Sequence, residues 1–261
     1  MTFQPVIPVG GLAGWGFLNR TMQAQTTAFQ KSPTLVRDTE YFAQNIGDVK
    51  SADQLVSDRR LLRVALGAFG LSDDINNTHF VRKILGDGTI DPYALSNRLA
   101  DTRYKAFSKA FGFGDFDTAR TQLSDFAKEI TNLYQTRQFE EAVGVQDSDL
   151  RLALNAKREL GSISSGTGSD NTKWFTIMGS APLRSVFETA FGLPSSFGKL
   201  DIDKQLVVFQ HKSEKIFGSS AVSNFSDHTA QEALVERYLL MSQISNSASA
   251  SSAEIALTLL R

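Results

Sequence analysis

Apolar residues recur along most of this chain at steps of three and four, the interval that lines up side chains on one side of an α-helix. From Leu55 the series runs through Leu62, Leu66 and Phe69 and predicts an amphipathic helix that stops at Gly70. A glycine just past a helix takes the left-handed conformation at no steric cost, and an apolar residue after it, here Leu71, packs back on the last turn in a Schellman motif. Phe80, Val81, Ile84 and Leu85 predict a short helix that closes at Gly86-Asp87-Gly88. Asp91-Pro92 then suits a helix start, and Leu95, Leu99, Thr102, Ala106 and Ala110 continue at helical spacing, as one helix or two, to Gly112 and Phe113. The most regular series, Ala119, Leu123, Phe126, Ile130 and Leu133, predicts a single long helix, with a weaker stop at Val143-Gly144-Val145. Further stripes follow: Leu150, Leu154 and Leu160 to Gly161; Leu183, Val186, Ala190 and Phe191 to Gly192-Leu193, opened by Ser180-Ala181-Pro182; Ile202, Leu206, Phe209 and Ile216 to Gly218. Ala230, Leu234, Tyr238, Met241 and Ile244 give the last.

Only VIPV near the start and LVVF inside a helical pattern have strand character, and both are short. The pattern predicts an all-α fold, an irregular bundle of about eight to ten helices with Gly-terminated, Schellman-type ends. The stretches ALGAFGL, KAFGFGD and TAFGLPSS look like copies of one another. Their glycines fall at 70, 112 and 192, too unevenly for a solenoid, so an old duplication and convergence on a good helix ending both remain open. The expected organisation is a Gly-rich, partly extended segment with a helix over 1–54, a helical core over 55–160, a flexible loop over 161–180, C-terminal helices packing on the core over 181–245, and a tail over 246–261. The loop assignment comes from GSISSGTGSDNTK, too small and polar to offset the entropy of ordering. In the tail, Ser/Ala-rich sequence gives way to Ile255, Leu257, Leu259 and Leu260, which suit a docked or loose terminus or an element that binds a partner.

Composition narrows the function more than the fold. Of 261 residues 41% are hydrophobic and 21% charged, which suits a packed globular protein. Basic and acidic residues number 27 and 28, with no dense Lys/Arg block, so the electrostatic footprint of nucleic-acid binding is missing. With no cysteine, disulfides, thiolate catalysis and Cys-ligated metals are excluded. The apolar opening MTFQPVIPVGGLAGWGFLNR lacks a basic start and is interrupted by prolines and glycines, unlike a classical signal peptide. No uninterrupted apolar stretch reaches the ~20 residues of a membrane span.

Chemistry is sparse. His79, His211 and His228 form no H-x-x-x-H or H-E-x-x-H pair and read as surface or cap-region residues. Gly161, Gly166 and Gly168 fit neither a P-loop nor a dinucleotide fingerprint. The acidic pairs Asp73/Asp74, Asp147/Asp149 and Asp201/Asp203 lie where helices begin, which suits capping better than calcium binding. The residues predict no catalytic group, no metal site and no cofactor.

One resemblance adds context. GWGFLNRT at residues 14–21, followed by Gln25, Ser32-Pro33, Arg37-Asp38 and Tyr41-Phe42, and SDRRLLRVALGAFGL at 57–71 with the FVRKIL beyond it, resemble a bacterial family catalogued as domain of unknown function 1217, over about residues 10–245. The resemblance implies a protein encoded among flagellar genes, with no catalytic residue to carry over. The expected function is thus a non-enzymatic structural or accessory role in the flagellar system through protein partners. It implies a cytoplasmic location or export through the flagellar apparatus. A cytosolic adaptor or chaperone-like module and, more distantly, an enzyme with a site assembled from scattered Asp, Arg and His are the alternatives. Trp15, Phe17 and Leu18 are the candidate partner-binding residues, because apolar groups in a glycine-rich terminus are costly to leave exposed; docking on the protein's own core satisfies the same need.

Overall fold

A computed structural model describes residues 3–259, with side chains described through Ser247. The fold is all-α, 77% helical with no strand among the described residues. Thirteen α-helices form among the described residues, more than the periodicity counts, and eleven of them have seven residues or more. They are α1 Gly11–Gln30, α2 Pro33–Asn45, α3 Ala52–Ser57, α4 Arg59–Phe69, α5 Thr78–Asp87, α6 Leu95–Arg98, α7 Thr102–Phe111, α8 Phe126–Gly144, α9 Ser148–Ser165, α10 Asp170–Gly179, α11 Ala181–Phe191, α12 Ile202–Phe217 and α13 His228–Leu259.

The extra helices come from breaks that apolar spacing does not register. The stripe from Leu55 to Phe69 is two helices, because Asp58 adopts an extended backbone and its carboxylate caps α4, accepting from the amides of Arg60 (2.8 Å) and Leu61 (3.1 Å). The series from Ala119 is helical only from Phe126: Arg120–Gln122 form a 3-10 turn flanked by extended Ala119 and Leu123, and Thr121 Oγ1 donates to the Val49 carbonyl at 2.5 Å. Asp91-Pro92 opens a turn rather than a helix, and Asp101 caps α7 instead. The 161–180 stretch is mostly helix: α9 runs on to Ser165, Ser169 caps α10, and only 166–169 connect them.

At Gly70 the backbone turns left-handed (φ 69°, ψ 34°), and the Leu71 amide reaches back to the Leu66 carbonyl at 2.9 Å. That 6→1 bond closes a Schellman motif, with Leu71 buried beneath it, and Arg103 Nη1 donates to the Gly70 carbonyl. Gly192 repeats the 6→1 bond through Leu193, whereas Gly112 and Gly218 make only the simpler 5→1 bond. Gly144 is the last residue of α8 and has no positive φ.

The chain divides into two compact units, and the division falls at 142/143, not in the Gly/Ser stretch. Unit 1 comprises residues 1–6 and 21–142; unit 2 comprises 7–20 and 143–261. In unit 1, α4 is buried on most of its circumference, and Phe69, Phe107, Phe111 and Phe126 meet edge to face at 5.1 to 5.4 Å. In unit 2 Trp174, Phe191 and Phe225 stand edge-on around Phe187 at 5.4 to 5.5 Å. Such pairs contribute about 0.5–1.5 kcal/mol each beyond the area they bury. In the tail, α13 continues to Leu259; the side chains of Ile255, Leu257 and Leu259, and all of Leu260, lie outside what is described.

Candidate functional site

A groove of about 660 Å³ opens in unit 2. Its apolar wall is Leu12 and Trp15 of α1, Ile216 and Phe217 at the end of α12, and Ala233 and Leu240 of α13, and Asn19, Glu232, Glu236 and Arg237 supply the polar rim. α1 reaches this position because its start is built from glycine. At Gly11 the backbone is left-handed (φ 63°), which favours glycine, and a Cβ would stand 1.9 Å from Nε2 of the Gln243 side chain of α13, which would have to move aside.

Trp15 anchors the groove. It is 3% exposed, and its indole Nε1–H donates to Glu232 Oε2 at 3.0 Å. Lys157 of α9 donates to the other Glu232 oxygen, and its ammonium stands 5.4 Å from the centre of the Trp15 ring, a cation–π arrangement. His228 Nε2 lies 3.7 Å from the same carboxylate and faces solvent. Burial alone would raise the Glu232 pKa, but the hydrogen bonds from Lys157 and Trp15, with the charges of Lys157 and His228, outweigh it and hold the carboxyl below its usual range. A carboxylate so saturated with donors is a fixed anion, not a proton acceptor awaiting a substrate. Arg237 is held as well, its Nε–H donating to the Ala190 carbonyl near the end of α11 at 2.7 Å. A mostly apolar hollow with a few fixed charges at the rim suits the side chains of another helix.

The three expected contact residues do not face outward together. Trp15 and Leu18 are buried, Leu18 completely, and Phe17 is half-buried. Docking on the chain's own core therefore accounts for Trp15 and Leu18, and what α1 presents at the groove is Leu12, 36% exposed. His79, His211 and His228 are all exposed, as their spacing suggests. Asp147 and Asp201 cap α9 and α12, but Asp74 takes the Tyr104 hydroxyl at 2.6 Å and the Asn77 amide instead of capping a helix. Asp149 accepts from Tyr238 and Ser242 of α13. Among the described residues no three His, Asp or Glu converge as a metal site would need. A smaller hollow in unit 1, about 210 Å³, is lined by Arg59, Arg63, Ser72 and Ile75. Its guanidiniums are engaged, Arg59 with Asn76 at 3.0 Å and Arg63 with Asp38 at 3.6 Å. Sequence reading missed Glu232, Lys157 and Arg237, and no local signal marks them: Glu232 lies 217 positions from Trp15. No helix among the described residues is long and apolar enough to cross a membrane.

The fold matches the crystal structure of protein AGR_C_984 from Agrobacterium tumefaciens, with a TM-score of 0.75 and 26% identity over 93% of this chain and 99% of that one. No curated protein matches the chain. The family model described as protein of unknown function (DUF1217) matches residues 68–231. The matched span begins inside ALGAFGL, so GWGFLNRT lies before it. With more than half of its length in that match, the chain belongs to the DUF1217 family.

Proposed function

We propose that this protein is a non-enzymatic structural or accessory component of the bacterial flagellar system, acting through protein contacts. The observation that carries the contact half of the reading is the groove of unit 2, whose wall of Leu12, Ile216, Phe217 and Leu240 would lower its free energy by covering itself with an apolar partner. The flagellar half comes from the resemblance carried by GWGFLNRT and SDRRLLRVALGAFGL.

The test is a deletion strain of the native bacterium scored for swimming, with the protein traced through cytoplasm, hook–basal-body preparations and culture fluid. The expected result is lost or impaired motility and recovery of the protein with flagellar structures. Complementation with Leu12→Glu, an exposed change on the groove wall, should restore the protein but not full motility. Normal swimming in the deletion strain would sink the flagellar assignment. Lost motility with the protein found only in the cytoplasm would favour the adaptor reading instead.

A further inference from the structure

Glycine inside a helix costs stability relative to alanine, so each one calls for a reason. Early in α1 two reasons are visible: Gly11 is left-handed, and a Cβ at Gly14 would stand 2.1 Å from the Val9 carbonyl oxygen. At Gly16 the described residues supply none, because a Cβ there would meet nothing within 4 Å. Gly16 lines the groove of unit 2, where the missing side chain leaves room for one that comes from outside.

The helices on either side of that room carry matching spacing. α1 lines the groove with Leu12, Gly16 and Asn19, at steps of four and three, and α13 with Ala233, Glu236 and Leu240, at steps of three and four. Gly11 faces Gln243 while Trp15 reaches back to Glu232, so the two rows run in opposite directions, with Leu12 and Leu240 towards one end and Asn19 and Ala233 towards the other. Each row takes seven steps of the chain, which is two helical turns or about 10 Å. A hollow of that length between two helical rows fits a third helix whose large apolar residues recur at i, i+3 or i+4, and i+7. The rim adds a sign. Lys157 offsets Glu232, and Arg237 is held at the Ala190 carbonyl near the C-terminal end of α11, where the helix dipole favours a cation. Glu236 faces solvent in the middle of the α13 row and forms no ion pair among the described residues.

We propose that the groove holds an amphipathic helix of another protein, which packs a row of large aliphatic side chains against Leu12, Gly16 and Leu240 and sets a lysine or arginine against Glu236. This names the partner in the contact reading above and rests on that reading, not on the flagellar one.

The test is binding of a synthetic helical peptide of about 16 residues, with leucine at one-turn intervals on one face and lysine beside them, to the full chain; a second peptide carries glutamate in place of each lysine. The readout is built in. The chain has two tryptophans, and Trp174 is fully buried with its indole N–H on the Ser220 carbonyl, so a change in emission on binding reports Trp15. The lysine peptide should shift that emission to shorter wavelength and bind about fivefold more tightly than the glutamate peptide. Gly16→Phe, which fills the room without touching the core, should weaken binding at least about tenfold, with circular dichroism showing that helix content is kept. Glu236→Lys should reverse the preference between the two peptides. Silence towards both peptides, undiminished binding by Gly16→Phe, or an unchanged preference in Glu236→Lys would each overturn the helical partner. So would a doubled mass of the chain alone in sedimentation equilibrium that Leu12→Glu abolishes, because the groove would then belong to a second copy. Should the peptides fail while Leu12→Glu still impairs swimming, the contact reading stands and only the helical, basic partner falls.

Discussion

Single residues in this molecule work by relieving or satisfying the backbone and by fixing charges. Gly70 shows the first: at φ 69° an alanine would carry the left-handed penalty, about 1–2 kcal/mol, and its Cβ would stand 2.9 Å from Arg137 Nη1, which is flexible enough to shift. Gly70→Ala should therefore lower the free energy of unfolding by about that amount, measured by urea titration; an unchanged midpoint would show that α4 does not depend on this ending. Glu232 shows the second. Its carboxyl is held below the ordinary value of 4.5, so the unfolded chain takes up this proton before the folded one as pH falls. The stabilisation is fully present above that value and disappears as pH drops through the lower, folded one. Glu232→Gln cannot titrate. The gap in urea midpoint between wild type and variant should be widest near about pH 7 and shrink steadily below about pH 4.5; a gap constant down to about pH 3 would show that the carboxylate is not specially stabilised.

At the scale of helices, the sequence is legible where the cause of an ending is local and silent where it is tertiary. The stops at Gly70, Gly112, Gly192 and Gly218 can be read directly, because a left-handed turn needs a glycine at that position and nowhere else. The break at Asp58 cannot, since apolar spacing runs straight through it. Asp58 holds its extended backbone while accepting the Tyr41 hydroxyl at 2.7 Å, from 17 positions away, as well as the α4 amides. Likewise nothing local reveals that Thr121 bonds Val49, 72 positions back, and so delays α8 to Phe126. The groove was half legible for the same reason. GWGFL announces apolar residues needing cover, but the identity of the cover, α13 and Lys157, lies far along the chain. The cap at Asp58 makes a measurable claim. Asp58→Ala should cost about 1–2 kcal/mol of stability and Asp58→Asn clearly less, since asparagine caps nearly as well; equal losses in both variants would assign the effect to Tyr41 instead.

At the scale of the whole chain, sequence order and structural membership disagree, and the disagreement is testable. Residues 7–20 lie next to unit 1 in sequence yet belong to unit 2, where Leu18 is completely buried and Gly14 packs beside Leu150 of α9. Leu18→Ala removes a core side chain, a change that costs about 2–5 kcal/mol depending on how far the neighbours close in. Set against a typical margin of about 5–15 kcal/mol, that is enough to loosen a unit without dissolving it. Local opening follows the unit that loses the contact, so amide hydrogen exchange in the full-length variant should accelerate in α9, α11 and α13, more than a hundred residues away in sequence. Exchange in α4 and α5, far nearer Leu18 along the chain, should stay as slow as in the wild type. If instead α4 and α5 loosen first, residues 7–20 stabilise the first half of the chain, and the assignment of this segment to the unit that carries the groove is wrong.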